Sequence, residues 1–217
     1  MDKLSSLTEA ISNLKEAEVE HLVRERLDAG VPAVDILADC RAGMAVVGSR
    51  FEKGEYFIPE LMFAGTIMKG VMADLEPMLK QLRASREEAA SVVIGTVRHD
   101  IHDIGKDVVV IMLQGTGFDV VDLGVDVSPQ RFVESTKESH ASVLGMSVFL
   151  TSCCKFVAET VDAVKQAGLR DRVSIMIGGA AASGMVAERT GCDYYGETAV
   201  DAVNYASKVV KSLSENC

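Results

Sequence analysis

Through about residue 85 the apolar positions recur at spacings of three and four, the period of an amphipathic helix, in four successive segments. The stretch SLTE, Ser6 to Glu9, fits a capping box opening the first. The second, EAEVEHLVRERLDAG, is expected to stop at Gly30, and Pro32 suits the first turn of the third. That third helix carries Ile36, Leu37, Cys40, Met44 and Val47 on one stripe. After GSRFEKGEYFIPE a fourth is expected from near Pro59 to about Arg83, with Leu61, Met62, Ile67, Met68, Val71, Met72 and Leu75 as its apolar positions. Four such helices with short connections predict a bundle.

From Ser91 the rhythm changes to short β-branched runs alternating with helical segments. SVVIGTV, FDVVDLG, SVLGMSVF and VSIMIGG are near-continuously apolar, as strands buried on both faces are, and a short fifth strand is expected near CDYYG. Helices are expected near Lys106–Gln114, Pro129–Ser139, Lys155–Ala167, Ala182–Arg189 and Thr198–Leu213. Repeated βα units predict a doubly wound parallel sheet. The fold class is therefore α/β, a helical bundle over residues 1–88 followed by an α/β domain over 89–217, joined through the charged linker RASREEAAS.

Composition narrows the function classes. The chain has 217 residues, 48% hydrophobic and 25% charged, enough to bury a real core. No apolar run is long enough to cross a membrane, and MDKLSSLTEA lacks the basic flank and apolar stretch of a signal peptide, so a cytoplasmic location is expected. Net charge is −10, with 11 Lys and Arg against 16 Asp and Glu both in residues 1–90 and in 91–217. Neither half offers the positive stripe that nucleic-acid binding needs. Five cysteines without CxxC spacing argue against a disulfide framework or a structural zinc site.

The densest chemistry is VRHDIHDIGKD, Val97 to Asp107, directly after the first expected strand. In a doubly wound sheet ligands bind beyond the carboxyl ends of the strands. Asp100 and His102 are two apart, so on extended backbone they point the same way. Three readings compete. The first is a solvated polar strand end. The second is a zinc or hard-metal site made of His99, Asp100, His102 and Asp103, which alternation makes awkward because 99 and 103 face away from 100 and 102. In the third, His102 is the single ligand to a bulky metal cofactor and Asp100 fixes its tautomer, which also gives Gly105 a purpose.

DIHDIG resembles the Asp-x-His-x-x-Gly signature of cobalamin-binding domains, related to the module of methionine synthase. In that family a Ser-x-Leu element and a Gly-Gly follow. Here 41 residues separate Gly105 from Ser147 and 28 separate Phe149 from Gly178–Gly179. GSRFEKGEYFIPELM resembles the helical cap of the same proteins, so nearly the whole chain is similar to a two-domain corrinoid protein of methanogenic and acetogenic methyltransferase systems. The resemblance implies a Rossmann-like, flavodoxin-like sheet domain that binds cobalamin or a related corrinoid. It makes His102 the cobalt ligand and Asp100 its partner, the two catalytic residues, and puts Asp103, Ile104, Gly105, Ser147, Phe149, Thr151, Gly178 and Gly179 around the cofactor. Two departures stand out: the Ser-x-Leu element reads Ser147-Val148-Phe149, and Cys153 falls where relatives carry a hydroxyl that extends the proton relay. Phe57, Leu61, Met62 and Phe63 are candidates to cover the cofactor from the cap, with Glu60 the polar exception.

The function implied is a methyl carrier. Its cobalt, as Co(I), would accept a methyl group from a substrate-specific methyltransferase and pass it to an acceptor methyltransferase of the tetrahydrofolate or coenzyme M type, with a reductive activase as a third partner. Such a chain is a cofactor-carrying subunit, since it is too short for the barrels that bind the substrates. Methanol, methylamines, methoxylated aromatics and quaternary amines are all candidate donors. Rival readings are a cobalamin-dependent sensor or regulator and the small subunit of a cobalamin-dependent mutase.

Overall fold

The computed structural model describes residues 4–83 and 91–215. The chain divides into two compact units, residues 1–89 with 111–118, and residues 90–110 with 119–217. Most of the expected linker lies outside the described residues.

The first unit is built on α1 (Ser6–Ser12), α2 (Glu16–Asp28), α3 (Ala33–Glu52) and α4 (Ile58–Arg83). The cap of α1 is Ser5, not Ser6: its hydroxyl accepts the Thr8 amide N–H at 3.1 Å, so the expected box is set one residue too late. Gly30, at φ 75°, does end α2 in the left-handed region where a Cβ is costly. Pro32 precedes α3 as its N-cap instead of entering the first turn. The expected stripe of α3 is buried from Ile36 to Val47, and α4 buries Leu61, Ile67, Met68, Val71 and Leu75. Met62 lies off that face and is exposed. Residues 111–118, the second half of α5 (Ile104–Gly115) and the turn after it, also belong to this unit, where Arg41 Nε donates to the Thr116 carbonyl at 2.5 Å.

The second unit holds β1 (Ser91–Thr96), β2 (Asp119–Asp122), β3 (Val143–Ser147), β4 (Ser174–Gly178) and β5 (Tyr194–Tyr195) in the order β2-β1-β3-β4-β5, all pairs parallel. Between them run α5, α6 (Pro129–Glu138), a 3-10 turn at Thr151–Cys153 leading into α7 (Cys154–Gln166), and α8 (Gly184–Thr190), with α9 (Ala199–Glu215) last. Val93, Leu144, Met146, Ile175 and Ile177 share one core with Phe132, Phe156, Val157, Val161 and Val164 of α6 and α7. Val92 and Ile94 alternate with Val93 yet are equally buried, so both faces of β1 are covered and the strand reads as one apolar run.

This strand order fixes where a ligand can bind. The chain leaves β1 toward β2 on one side and reaches β3 on the other, so the connections after β1 and β3 diverge and open a crevice at their carboxyl ends. The β1–α5 loop, residues 97–103, and the β3–α7 loop, residues 148–150, both start at that point.

Candidate functional site

Asp100 anchors the crevice. Its side chain is fully buried, and four donors converge on the carboxylate. Oδ2 accepts the amide N–H groups of Phe149 at 2.7 Å and Leu150 at 3.0 Å, while Oδ1 accepts the His102 amide at 3.2 Å and faces His102 Nδ1 at 2.7 Å. Burial alone would push this carboxyl up, but the bonds from Leu150, His102 and Phe149 outweigh it and hold it below the ordinary carboxylate value. An ionised Asp100 accepts a hydrogen bond from the Nδ1–H, and a neutral imidazole in that tautomer has its free lone pair on Nε2. The His102 ring lies stacked on Phe149 with centroids 4.1 Å apart and planes at 19°, and its side chain is 45% exposed. Thr96, at the end of β1, donates its hydroxyl to the His102 carbonyl at 3.1 Å and holds the chain on the other side.

Around this imidazole the surface is apolar. Ile101 and Ile104 are 71% and 70% exposed, and Phe149 and Leu150 are 48% and 39% exposed. Four large apolar side chains on two adjacent loops and the first residue of α5, beside one half-exposed imidazole, form a surface that a large flat apolar group can cover.

Of the residues expected to join them, Asp103 ends the same loop and Ile104 opens α5, both exposed, and Gly105 has negative φ with open space where a Cβ would stand. Its own backbone therefore has no need of glycine, in keeping with room left for a ligand. Ser147 ends β3 half-buried and Thr151 is exposed at the start of the 3-10 turn. Gly179 has a local reason: at φ 107° a Cβ would stand 2.4 Å from the Val148 carbonyl oxygen. Gly178 sits closer to ordinary packing, with the Gly196 carbonyl 3.3 Å from the same construction.

The four polar side chains of the signature do not form one metal shell. His99 and Asp103 stand apart from the Asp100–His102 pair, and among the described residues no three His, Cys, Asp or Glu side chains converge as a metal-binding group. Cys153 is buried with Sγ directed to the His99 carbonyl at 3.5 Å. It makes no hydrogen bond to Asp100, whose Oδ2 accepts from the Phe149 and Leu150 amides. Sequence reasoning missed Lys106, which is buried beside Gly105 and pairs with Asp122 at 2.6 Å and Asp107 at 2.7 Å. Burial lowers its pKa, but the two carboxylates outweigh this and raise it. The alternation of lysine with aspartate in GKD was the available signal.

In the helical unit Leu61 is fully buried in the bundle core, which removes it from the candidates to cover a cofactor. Phe57, Met62 and Phe63 are exposed, and Glu60 Oε2 accepts the Phe57 amide at 2.8 Å, closing the start of α4.

Sheet order, crevice and a single carboxylate-held imidazole define a large-cofactor binding module of the α/β class. Family comparisons name it. Residues 90–204 match the B12 binding domain, and residues 4–76 match a second B12 binding domain family. Trimethylamine corrinoid protein 2 of Methanosarcina acetivorans is 36% identical over 210 residues, 96% of this chain and 97% of that protein. The dimethylamine corrinoid protein of Methanosarcina barkeri is 37% identical over 207 residues, 95% and 97% of the two chains. A crystal structure of a cobalamin-binding protein from Desulfitobacterium hafniense matches with a TM-score of 0.81 at 34% identity, covering 95% of this chain and 98% of that one. The chain belongs to the family of B12-binding corrinoid proteins, and a corrinoid is its cofactor.

Proposed function

We propose that this protein is a corrinoid methyl carrier in which His102 is the one protein ligand to cobalt. The observation that carries this reading is the 2.7 Å contact from His102 Nδ1 to a fully buried Asp100, which leaves Nε2 as the coordinating nitrogen. When bound, the corrinoid supplies the chemistry, a cobalt centre that takes a methyl group as Co(I) from one methyltransferase and yields it to another.

The chain's own residues hold and shield that group. Asp100 keeps the imidazole in one tautomer and one direction by accepting the Nδ1–H hydrogen bond. Phe149 restrains the ring from its face. Asp103, Ile104, Gly105, Ser147, Thr151, Gly178 and Gly179 complete the cofactor pocket, with the Ser147 and Thr151 hydroxyls as polar partners. Residues 89–217 are the binding domain and residues 1–88 the helical cap, with Phe57, Met62 and Phe63 as its exposed apolar cover.

The names of the relatives, tri- and dimethylamine corrinoid proteins, favour methylated amines as the source of the methyl group. Its partners are then a methylamine-specific methyltransferase, an acceptor methyltransferase of the tetrahydrofolate or coenzyme M type, and a reductive activase. The test is reconstitution of the full chain with hydroxocobalamin, reduction, and addition of a methylated amine with its methyltransferase, followed by cobalt absorbance. Donor-dependent conversion is expected. A chain that binds the corrinoid tightly yet stays unconverted with every methylamine, methanol and methoxyaromatic pair would contradict the carrier reading.

A further inference from the structure

The β2–α6 loop, residues 123–128, is not part of the signature, yet it clasps the backbone that carries Asp100. Asp126 Oδ1 accepts the His99 amide N–H at 2.6 Å, and the Asp126 amide donates to the Asp100 carbonyl at 2.9 Å. The two bonds bracket the His99–Asp100 pair, one at the amide entering it and one at the carbonyl leaving it. Thr96 N–H donates to the Gly124 carbonyl at 2.9 Å and Val127 N–H to the Thr96 carbonyl at 3.0 Å, extending the clasp back to β1.

Both residues at the centre of this clasp are held in the left-handed region without being glycine, His99 at φ 64° and Asp126 at φ 53°. Such backbone persists only where the surroundings enforce it, and it collects at functional sites. The His99 imidazole adds no hydrogen bond to this clasp. Its Nδ1 stands 3.9 Å from Asp126 Oδ1, beyond hydrogen-bond reach, and the ring packs edge-on against Phe156 at 5.0 Å.

We infer that Asp126 is a positioning residue for the cofactor: through the His99 amide and the Asp100 carbonyl it fixes the backbone from which the Asp100 carboxylate aims His102. The inference rests on the reading of His102 as the cobalt ligand. A loosened 99–100 segment lets the carboxylate drift from the Phe149 and Leu150 amides that orient it, and the imidazole loses its fixed direction.

The experiment uses the full chain labelled with 15N-histidine, reconstituted with hydroxocobalamin and reduced to Co(II). The axial nitrogen coupling in the electron paramagnetic resonance spectrum then reports the histidine-ligated fraction directly. Asp126→Gly removes the acceptor without adding strain at a positive φ, and Asp126→Ala serves as a second deletion. Either is expected to lower the ratio of histidine-ligated to unligated cobalt by roughly five-fold, the weight of about one net hydrogen bond. Asp126→Asn keeps the acceptor oxygen and is expected within about two-fold of wild type, as is His99→Gly, which keeps the amide and discards the ring.

Wild-type ligated fractions in both deletions, with only the urea midpoint lowered, would reduce Asp126 to a turn-forming residue and overturn the inference. So would failure of both deletions to fold, or loss of ligation in His99→Gly equal to that in Asp126→Gly. Absence of histidine coupling in wild type itself would instead remove the ligand reading beneath it, so the two failures are distinguishable.

Discussion

Two places on this chain hold large apolar side chains in water, and they are built differently. At the start of α4, Phe57, Ile58, Met62 and Phe63 are at least 40% exposed, and the side-chain hydrogen bonds there are local ones, from the Phe57 amide to Glu60 and from the Thr66 hydroxyl to the Met62 carbonyl. In the second unit, Ile101, Ile104, Phe149 and Leu150 are comparably exposed, but the backbone around them is tied to a buried carboxylate and to a clasp from the neighbouring loop, and α5 carries a buried lysine paired with two carboxylates. The first is a helix surface whose side chains can repack around whatever covers it. The second is preorganised: its apolar groups are held still because polar groups beneath them are fully paired. Apolar exposure alone does not mark a site; exposure over a satisfied buried charge does.

The contrast breaks most visibly at Asp100. Asp100→Ala leaves the Phe149, Leu150 and His102 amides without their acceptor, and is expected to cost about 4 kcal/mol in urea unfolding of the ligand-free chain. Corrinoid affinity should fall by about 10- to 100-fold. The depressed pKa of Asp100 adds a pH signature. Its stabilisation is present above the ordinary aspartate value of about 3.9 and is lost as pH falls through the lower folded-state value, so a urea–pH series on Asp100→Ala should lack that acid loss.

Gly179→Ala comes next. A methyl group 2.4 Å from the Val148 carbonyl oxygen, at φ 107°, is expected to cost about 3 kcal/mol and to lower the thermal midpoint of the ligand-free chain.

Lys106→Met should cost about 2 kcal/mol, less than a fully buried pair because Asp122 and Asp107 are partly exposed and regain water. Because the lysine's pKa is raised, its contribution is complete below about 10.4 and is lost as pH rises through the folded-state value. The variant's unfolding midpoint should therefore be flatter than wild type above that pH.

Smallest is the helical patch. Met62→Ser and Phe63→Ser remove exposed side chains from α4 and should change the stability of the ligand-free chain by no more than about 0.5 kcal/mol. A loss near that of Lys106→Met would mean the patch is already packed, and the comparison would fail.

Much of this architecture could be read from hydrophobic period. The four helices of the first unit and the alternation of strands and helices after Ser91 follow from spacings of three and four against near-continuous apolar runs, because burial on one face or on both leaves that imprint directly. Caps were harder. Ser5 and Ser6 are chemically equivalent, and only the turn of the backbone decides which hydroxyl meets the Thr8 amide. The two halves of α5 share one apolar pattern while belonging to different units, a division no periodicity records.

At the site, two-residue spacing was enough to pair Asp100 with His102, since the contact is local. The acceptors and donors that arrive from elsewhere were not legible. Phe149 and Leu150 meet Asp100 through backbone amides, which every residue possesses, so no side-chain motif announces them. Asp126 looks like any loop aspartate in GVDVSP until the fold brings its carboxylate to the His99 amide 27 residues away. The expected role of Leu61 failed for a related reason: LMF puts three apolar residues in a row, and only the helix phase decides that Leu61 points into the bundle while Met62 and Phe63 do not.

The central claim is that a single imidazole, His102, ligates the cobalt. The chain has four histidines, at 21, 99, 102 and 140, so histidine nitrogen coupling to Co(II) in the 15N-labelled, reconstituted protein can be assigned by substitution. The coupling is expected in wild type, in His21→Ala and in His140→Ala, and is expected to vanish in His102→Ala. Coupling that persists in His102→Ala, or that is absent from wild type, would contradict the account.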